Sequence, residues 1–244
     1  MSKFIFKIDH YVAELFHEIY LWGGNTANHI FEGISWIAEK GILFLALGFG
    51  LFLFKRTRKT GLAILLAVGL GFLTTNIILK NIIQRARPFD DISSDFYKWW
   101  IDAGANFEES FSFPSGHTTA ITAFSVAILM TTNKELSWSI LFLPLLMLCS
   151  RIYLMVHYFT DCLGGLFVGS ICALIAYLIV ILIYKKKNKF CRFIQNFSII
   201  KKETHKSITV EQSVPIEDFV YHTQADEQNK SSDKIENTNN DDNS

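Results

Sequence analysis

Hydrophobic residues in this chain come in long blocks, not in alternation or one-sided stripes. Residues 61–79 and 162–184 carry no charge at all. Each block is about 20 residues, enough for a helix to cross a hydrocarbon layer of ~30 Å. Further apolar stretches at about 34–54, 115–131 and 136–156 predict three more crossings. Those at 115–131 and 136–156 are less purely apolar, as expected if chemistry-bearing residues intrude at one end of each.

The stretch 4–22 has a different pattern. Phe4, Ile8, Tyr11, Val12, Leu15, Phe16 and Ile19 recur at helical spacing, with Asp9, His10, Glu14, His17 and Glu18 largely opposite. That predicts a helix lying in the membrane interface; were it to span instead, the N-terminus would move inside without changing the rest. The expected fold class is therefore all-α: a polytopic membrane helix bundle of about five transmembrane helices plus an N-terminal interfacial helix.

Polar stretches divide the chain. Residues 1–33 read as the interfacial helix and its connection, and 34–184 as the transmembrane domain. Residues 185–202 form a basic juxtamembrane segment, where Phe190, Phe193, Ile194 and Phe197 suggest a surface-lying helix. The acidic, polar tail 203–244 is too poor in aliphatics to form a core and reads as disordered. The loop 89–112, rich in Asp, Glu, Trp and Tyr, reads as a solvated cap with aromatic anchors, with a lid that gates the site as the alternative.

Composition adds exclusions. Half of the 244 residues are hydrophobic, and the net charge of zero averages a basic segment with an acidic tail. No arginine-rich, aromatic-interleaved surface points to nucleic acid. Cys149, Cys162, Cys172 and Cys191 lack metal-ligand spacing and imply no disulfide framework. The N-terminus lacks a basic region leading into an apolar stretch, so a cleaved signal peptide is not expected. With five crossings, the positive-inside rule puts 55–59, the turn around Lys134 and the segment 185–192 in the cytoplasm. The tail is then cytoplasmic too.

On the opposite, extracytoplasmic side the same topology gathers three polar motifs. The first is Lys80-x6-Arg87-Pro88. Its cations are two helical turns apart, pointing to one side, and Pro88 ends the helix. The second, Pro114-Ser115-Gly116-His117, stands where loop becomes helix, so backbone N–H groups are free for an anion. The third, Ser150-Arg151-x5-His157-x3-Asp161, sets a histidine and a carboxylate at i, i+4. Asp161 can then orient one ring nitrogen of His157 and leave the other nucleophilic. Arg151 is off that face in an ideal helix, so its convergence with His157 requires a helix break near 152–157 or the long reach of arginine. Each motif alone has a plainer reading, as a headgroup-facing basic cluster, an interfacial histidine or a helix-end ion pair. All three on one side of the membrane point to phosphate chemistry.

The three motifs together resemble the type 2 phosphatidic acid phosphatase family, whose signature is matched at every position; the resemblance spans about 34–184. It implies a helical phosphatase fold and metal-independent chemistry with no cofactor. By the resemblance His157 is the nucleophile that becomes a phosphohistidine, Asp161 its orienting partner and His117 the acid that protonates the leaving group. Lys80, Arg87, Ser115, the Gly116 amide and Arg151 form the phosphate cradle. The implied partner is a lipid phosphate in a bacterial cytoplasmic membrane, with undecaprenyl diphosphate favoured over phosphatidate or phosphatidylglycerol phosphate. A non-catalytic lipid-phosphate carrier and a vanadate haloperoxidase are the competing readings. His10, His17, His29, His205 and His222 are expected to be solvated, and Arg85 lies near the cradle but outside the signature.

Overall fold

The computed structural model describes residues 3–37, 41–132 and 138–186, with 189 and 192. These all belong to one unit, Met1–Lys201. Among them there are helices and no strand. The expected turn at Lys134, most of the basic juxtamembrane segment and the tail lie outside the described residues.

The helices in chain order are α1 (Lys3–Ile37), α2 (Ile42–Leu53) and α3 (Arg58–Phe72), which runs through a π-helical stretch, Leu73–Leu79, into α4 (Lys80–Ile83). After a 3-10 turn at Pro88–Asp90 come α5 (Asp95–Asp102), α6 (Gly116–Thr131), α7 (Phe142–Tyr153, preceded by a 3-10 turn at Trp138–Leu141) and α8 (Phe159–Lys185). Every expected crossing thus contains a helix. By length and composition only Arg58–Asp90 and Phe159–Lys185 suffice individually to cross a membrane, and α6 and α7 are shorter apolar helices. The expected crossing at 34–54 is divided, because α1 continues to Ile37 and α2 begins at Ile42.

α3, α6 and α8 form the centre of the bundle. Ala63, Ala67, Ala123, Ala127, Ala173 and Ala176, small residues that let helix backbones approach, make the shared core together with Ile64 and Val180. α6 and α8 approach closely. A Cβ on Gly165 would stand 2.8 Å from the Ser115 carbonyl oxygen, and one on Gly169 would stand 2.8 Å from Thr122 Cβ. Real Cβ atoms do not tolerate such distances, so this Gly-x3-Gly pair sets the α6–α8 spacing. The spacing matters because His117 stands at the start of α6 and Asp161 in the first turn of α8.

The N-terminal segment corrects the sequence reading. α1 breaks at Gly24 (φ 51°, ψ −141°), a conformation glycine adopts readily, and it packs along α7. Its polar residues Asp9, Asn28 and Ser35 are buried, while Phe4, Tyr11, Leu15 and Trp22 are exposed. The two expected faces are thus mixed: Asp9 points into the bundle while Glu14 and Glu18 are exposed, and Val12 and Phe16 of the apolar face pack inward while Phe4, Tyr11 and Leu15 point out. Amphipathicity alone could not tell which of these residues face the protein.

The loop 89–112 is likewise more than a solvated cap. α5 packs on α1, with Phe96 buried and the Trp100 ring stacked on Phe89 at 4.7 Å. His10 lies 5.3 Å from the Trp99 ring and His17 stacks on that ring at 5.2 Å, so these two are docking residues rather than solvated ones.

Candidate active site

The three motifs meet at one end of the bundle, but not by the helix geometry expected for them. α4 stops at Ile83, and Gln84 takes a left-handed conformation (φ 48°) that reverses the chain. Arg87 is extended (φ −81°, ψ 162°), as a residue before proline prefers. Lys80 and Arg87 thus converge through a chain reversal, not from one helix face. The π-helical stretch just before Lys80 widens the turn that leads to it, a distortion often found at functional sites.

The third motif has the break the Arg151–His157 offset demanded. α7 ends at Tyr153, Met155 is left-handed (φ 51°), and α8 starts at Phe159. His157 therefore lies in a connection rather than on a helix with Asp161. Asp161 reaches back as a helix cap, its Oδ2 accepting from the Tyr158 N–H at 2.9 Å. His157 Nδ1 is 3.7 Å from Asp161 Oδ2, beyond hydrogen-bond range. The Ser112 hydroxyl bridges the gap: it donates to Asp161 Oδ2 at 2.5 Å and stands 3.4 Å from His157 Nδ1.

His157 is buried, and its Nε2 has no hydrogen-bond partner among the described residues. Burial first, then the charges of Arg87, Arg151 and Lys80, holds this imidazole well below its usual range, so it stands neutral. A buried, neutral, unpaired ring nitrogen beside a carboxylate is equipped to attack an electrophile.

The three cations are all buried. Arg87 Nη1 donates to the Val156 carbonyl at 2.7 Å, which fixes it against the backbone next to His157. Lys80 Nζ donates to Ser110 Oγ at 2.8 Å. Arg151 donates through Nη1 to Ser35 Oγ and through Nη2 to Glu108 Oε1, and its Nε is buried with no partner among the described residues. Glu108 Oε2 accepts from Arg87 Nη2 at 2.8 Å, and its Oε1 lies 3.9 Å from His117 Nδ1. Burial works to raise the Glu108 carboxyl, but Arg151, Arg87 and His117 outweigh it and hold it at about 2. One carboxylate thus bridges two guanidiniums within reach of His117.

Ser115 and Gly116 occupy the start of α6. The buried Ser115 hydroxyl accepts from Thr118 N at 3.5 Å, and the Ser115 N–H donates to the Asp161 carbonyl at 3.0 Å. Ser115 thus caps α6 and ties it to α8. A Cβ on Gly116 would only touch the Asn76 amide oxygen at 3.4 Å, an ordinary contact.

Glu108, Ser110 and Ser112 escaped the sequence reading, hidden in a loop counted as acidic and solvated. Their signal is period two: Glu108, Ser110 and Ser112 alternate with Glu109, Phe111 and Phe113. An extended strand sends such residues to one side. Here that side is the site.

A profile of the PAP2 superfamily matches residues 60–185. Phosphatidylglycerophosphatase B of Bacillus subtilis is 34% identical over 155 residues, covering 58% of this chain and 70% of the relative. Undecaprenyl-diphosphatase of Sulfolobus acidocaldarius is 26% identical over 120 residues, covering 49% of this chain and 55% of the relative. Among solved structures, a transmembrane PAP2-type phosphatidylglycerolphosphate phosphatase from Bacillus subtilis aligns with a TM-score of 0.55 at 24% identity. That alignment covers 78% of this chain and 90% of that one. LpxE of Aquifex aeolicus aligns with a TM-score of 0.54 at 22% identity, over 67% of this chain and 92% of that one. These two structures establish likeness of fold.

Proposed function

Because the chain belongs to the PAP2 superfamily, we propose that it is an integral membrane lipid phosphatase working through a phosphohistidine on His157. The observation that carries this is the buried, unpartnered Nε2 of His157, set between Asp161 and the cradle of Lys80, Arg87 and Arg151. The terminal phosphoryl group of the substrate displaces the Glu108 carboxylate and takes over its guanidinium donors. His157 Nε2 attacks phosphorus, and the bond from phosphorus to the leaving oxygen breaks. His117 donates its proton to that oxygen. Asp161 offsets the positive charge that develops on the His157 ring. His117 then takes a proton from water, the water oxygen attacks phosphorus, the P–N bond breaks and inorganic phosphate departs. The guanidiniums stabilise charge on the transferring group throughout.

The bundle crosses the membrane about five times, with α1 at the interface and the site on the extracytoplasmic face. The substrate we favour is undecaprenyl diphosphate, cleaved to undecaprenyl phosphate, which two relatives' names support. Phosphatidylglycerophosphate is the second reading, supported by the name of the 34%-identical relative. Purified protein in detergent, given undecaprenyl diphosphate, phosphatidylglycerophosphate and phosphatidate in parallel, should release phosphate from at least one. Acid quench should trap labelled phosphohistidine, and His157→Ala should lose at least ~10⁴-fold in turnover along with the label. Full activity in that variant would remove His157 as the nucleophile.

A further inference from the structure

Arg85 stands two residues from Arg87 but does not join the cradle. The reversal at Gln84 turns it the other way, behind Asp161. Its Nη1 donates to Asp161 Oδ1 and, at 2.8 Å, to Thr160 Oγ1. Its Nη2 donates to Asp9 Oδ2 at 2.7 Å. The guanidinium lies 4.0 Å over the Tyr158 ring. Its carbonyl accepts from the Ser112 N–H at 2.8 Å, so the same residue also fixes the hydroxyl that bridges His157 and Asp161.

Asp9 closes the arrangement from α1. It is fully buried in its side chain and accepts from Thr160 N and Thr160 Oγ1, each at 2.9 Å. The order of charge is Asp9, Arg85, Asp161: one cation between two carboxylates. A lone arginine against Asp161 would fix the carboxylate but cancel its field at His157. With Asp9 on the far side the cluster keeps one net negative charge facing the ring that must become cationic.

We propose that Arg85, anchored by Asp9, is a positioning residue for phosphoryl transfer that holds Asp161 aimed and ionised behind His157. The proposal rests on the phosphohistidine reading and assigns α1 a part in it. A purely architectural role, tying α1 to α8, would make the same contacts, so the test must separate the two.

The probes are the three lipids above as substrates and inorganic phosphate as inhibitor. Arg85→Gln should lower kcat by ~10²-fold and shift the phosphate inhibition constant by less than about three-fold. Arg85→Lys should recover about ten-fold of that loss. Asp9→Asn, which removes charge with little change of shape, should lower kcat by about ten-fold. The double variant should be no worse than Arg85→Gln alone, because the two act as one unit. Wild-type kcat in both Arg85→Gln and Asp9→Asn overturns the proposal. So does a loss in which phosphate binding weakens as much as kcat falls. Should Arg85→Gln aggregate, Asp9→Asn and Arg85→Lys decide by the same two readouts. Failure of the underlying reading looks different: the wild-type chain releases no phosphate, or His157→Ala is as active as wild type.

Discussion

The two sides of His157 carry opposite charge excess. In front stand Lys80, Arg87 and Arg151 with the single carboxylate of Glu108. Behind stands the single cation Arg85 between Asp9 and Asp161. Their construction differs as much as their sign. The front carboxylate is borne on an irregular loop and touches only side chains that would equally hold a phosphate. The back carboxylates sit in α1 and α8, one capping a helix and the other accepting from a helical N–H. An exchangeable anion on a positive front and a fixed negative back suit the role proposed for His157, which would receive a phosphoryl group and then carry positive charge. The contrast teaches that charge count alone does not separate a binding site from a scaffold; attachment does.

The largest effect that could break this comparison comes from the front. Arg151→Ala should cut kcat/KM by ~10³-fold and weaken inhibition by inorganic phosphate, whereas changes behind His157 should spare phosphate binding. Arg87→Ala should behave alike. If either left phosphate inhibition untouched, the front would not be the cradle.

A smaller change of opposite sign is expected at Glu108. Glu108→Gln removes the anion that competes with phosphate, so inorganic phosphate should inhibit about ten-fold more tightly. It should also lower the melting temperature of the empty protein, since three buried cations lose their counter-charge. The pH dependence has a definite sign. The carboxyl is held at about 2 against an ordinary 4.5, so its contribution is complete above the ordinary value and is lost as pH falls toward 2. The stability gap between wild type and Glu108→Gln should therefore be widest near neutrality and should narrow steadily below pH ~4.5. A gap independent of pH would mean that Glu108 acts by shape, not charge.

The smallest effect concerns the spacing between front and back. Gly165→Ala puts a methyl group against the Ser115 carbonyl and forces α6 from α8. It should cost about 1–3 kcal/mol of stability, read by thermal unfolding in detergent. Gly33→Ala, at a site with open space around it, should cost nothing and serves as the control.

Much of the helical layout was legible in the chain. Blocks of hydrocarbon without charge locate α3 and α8 because a helix in lipid must satisfy its backbone internally and cover it with apolar side chains. The signature residues were legible for the converse reason, since charge is costly there. What periodicity misjudged in α1 was the place of single residues: Asp9 is buried and Leu15 is exposed. Lys80 and Arg87 show a related limit: their seven-residue spacing fits one helix face, yet a single left-handed Gln84 brings them together by another route.

The sequence by itself determined the helical class, the positions of the apolar helices and the residues of the three motifs. Those follow from local composition and from residue chemistry that needs no neighbours. Only the tertiary structure decided that Glu108 fills the space between Arg87 and Arg151, that Ser112 spans the distance between His157 and Asp161, and that Arg85 turns away from the cradle toward Asp9. Each of these contacts joins residues at least 20 positions apart in the chain. Their partners are chosen by buried charge seeking its counter-charge, which depends on where the helices pack.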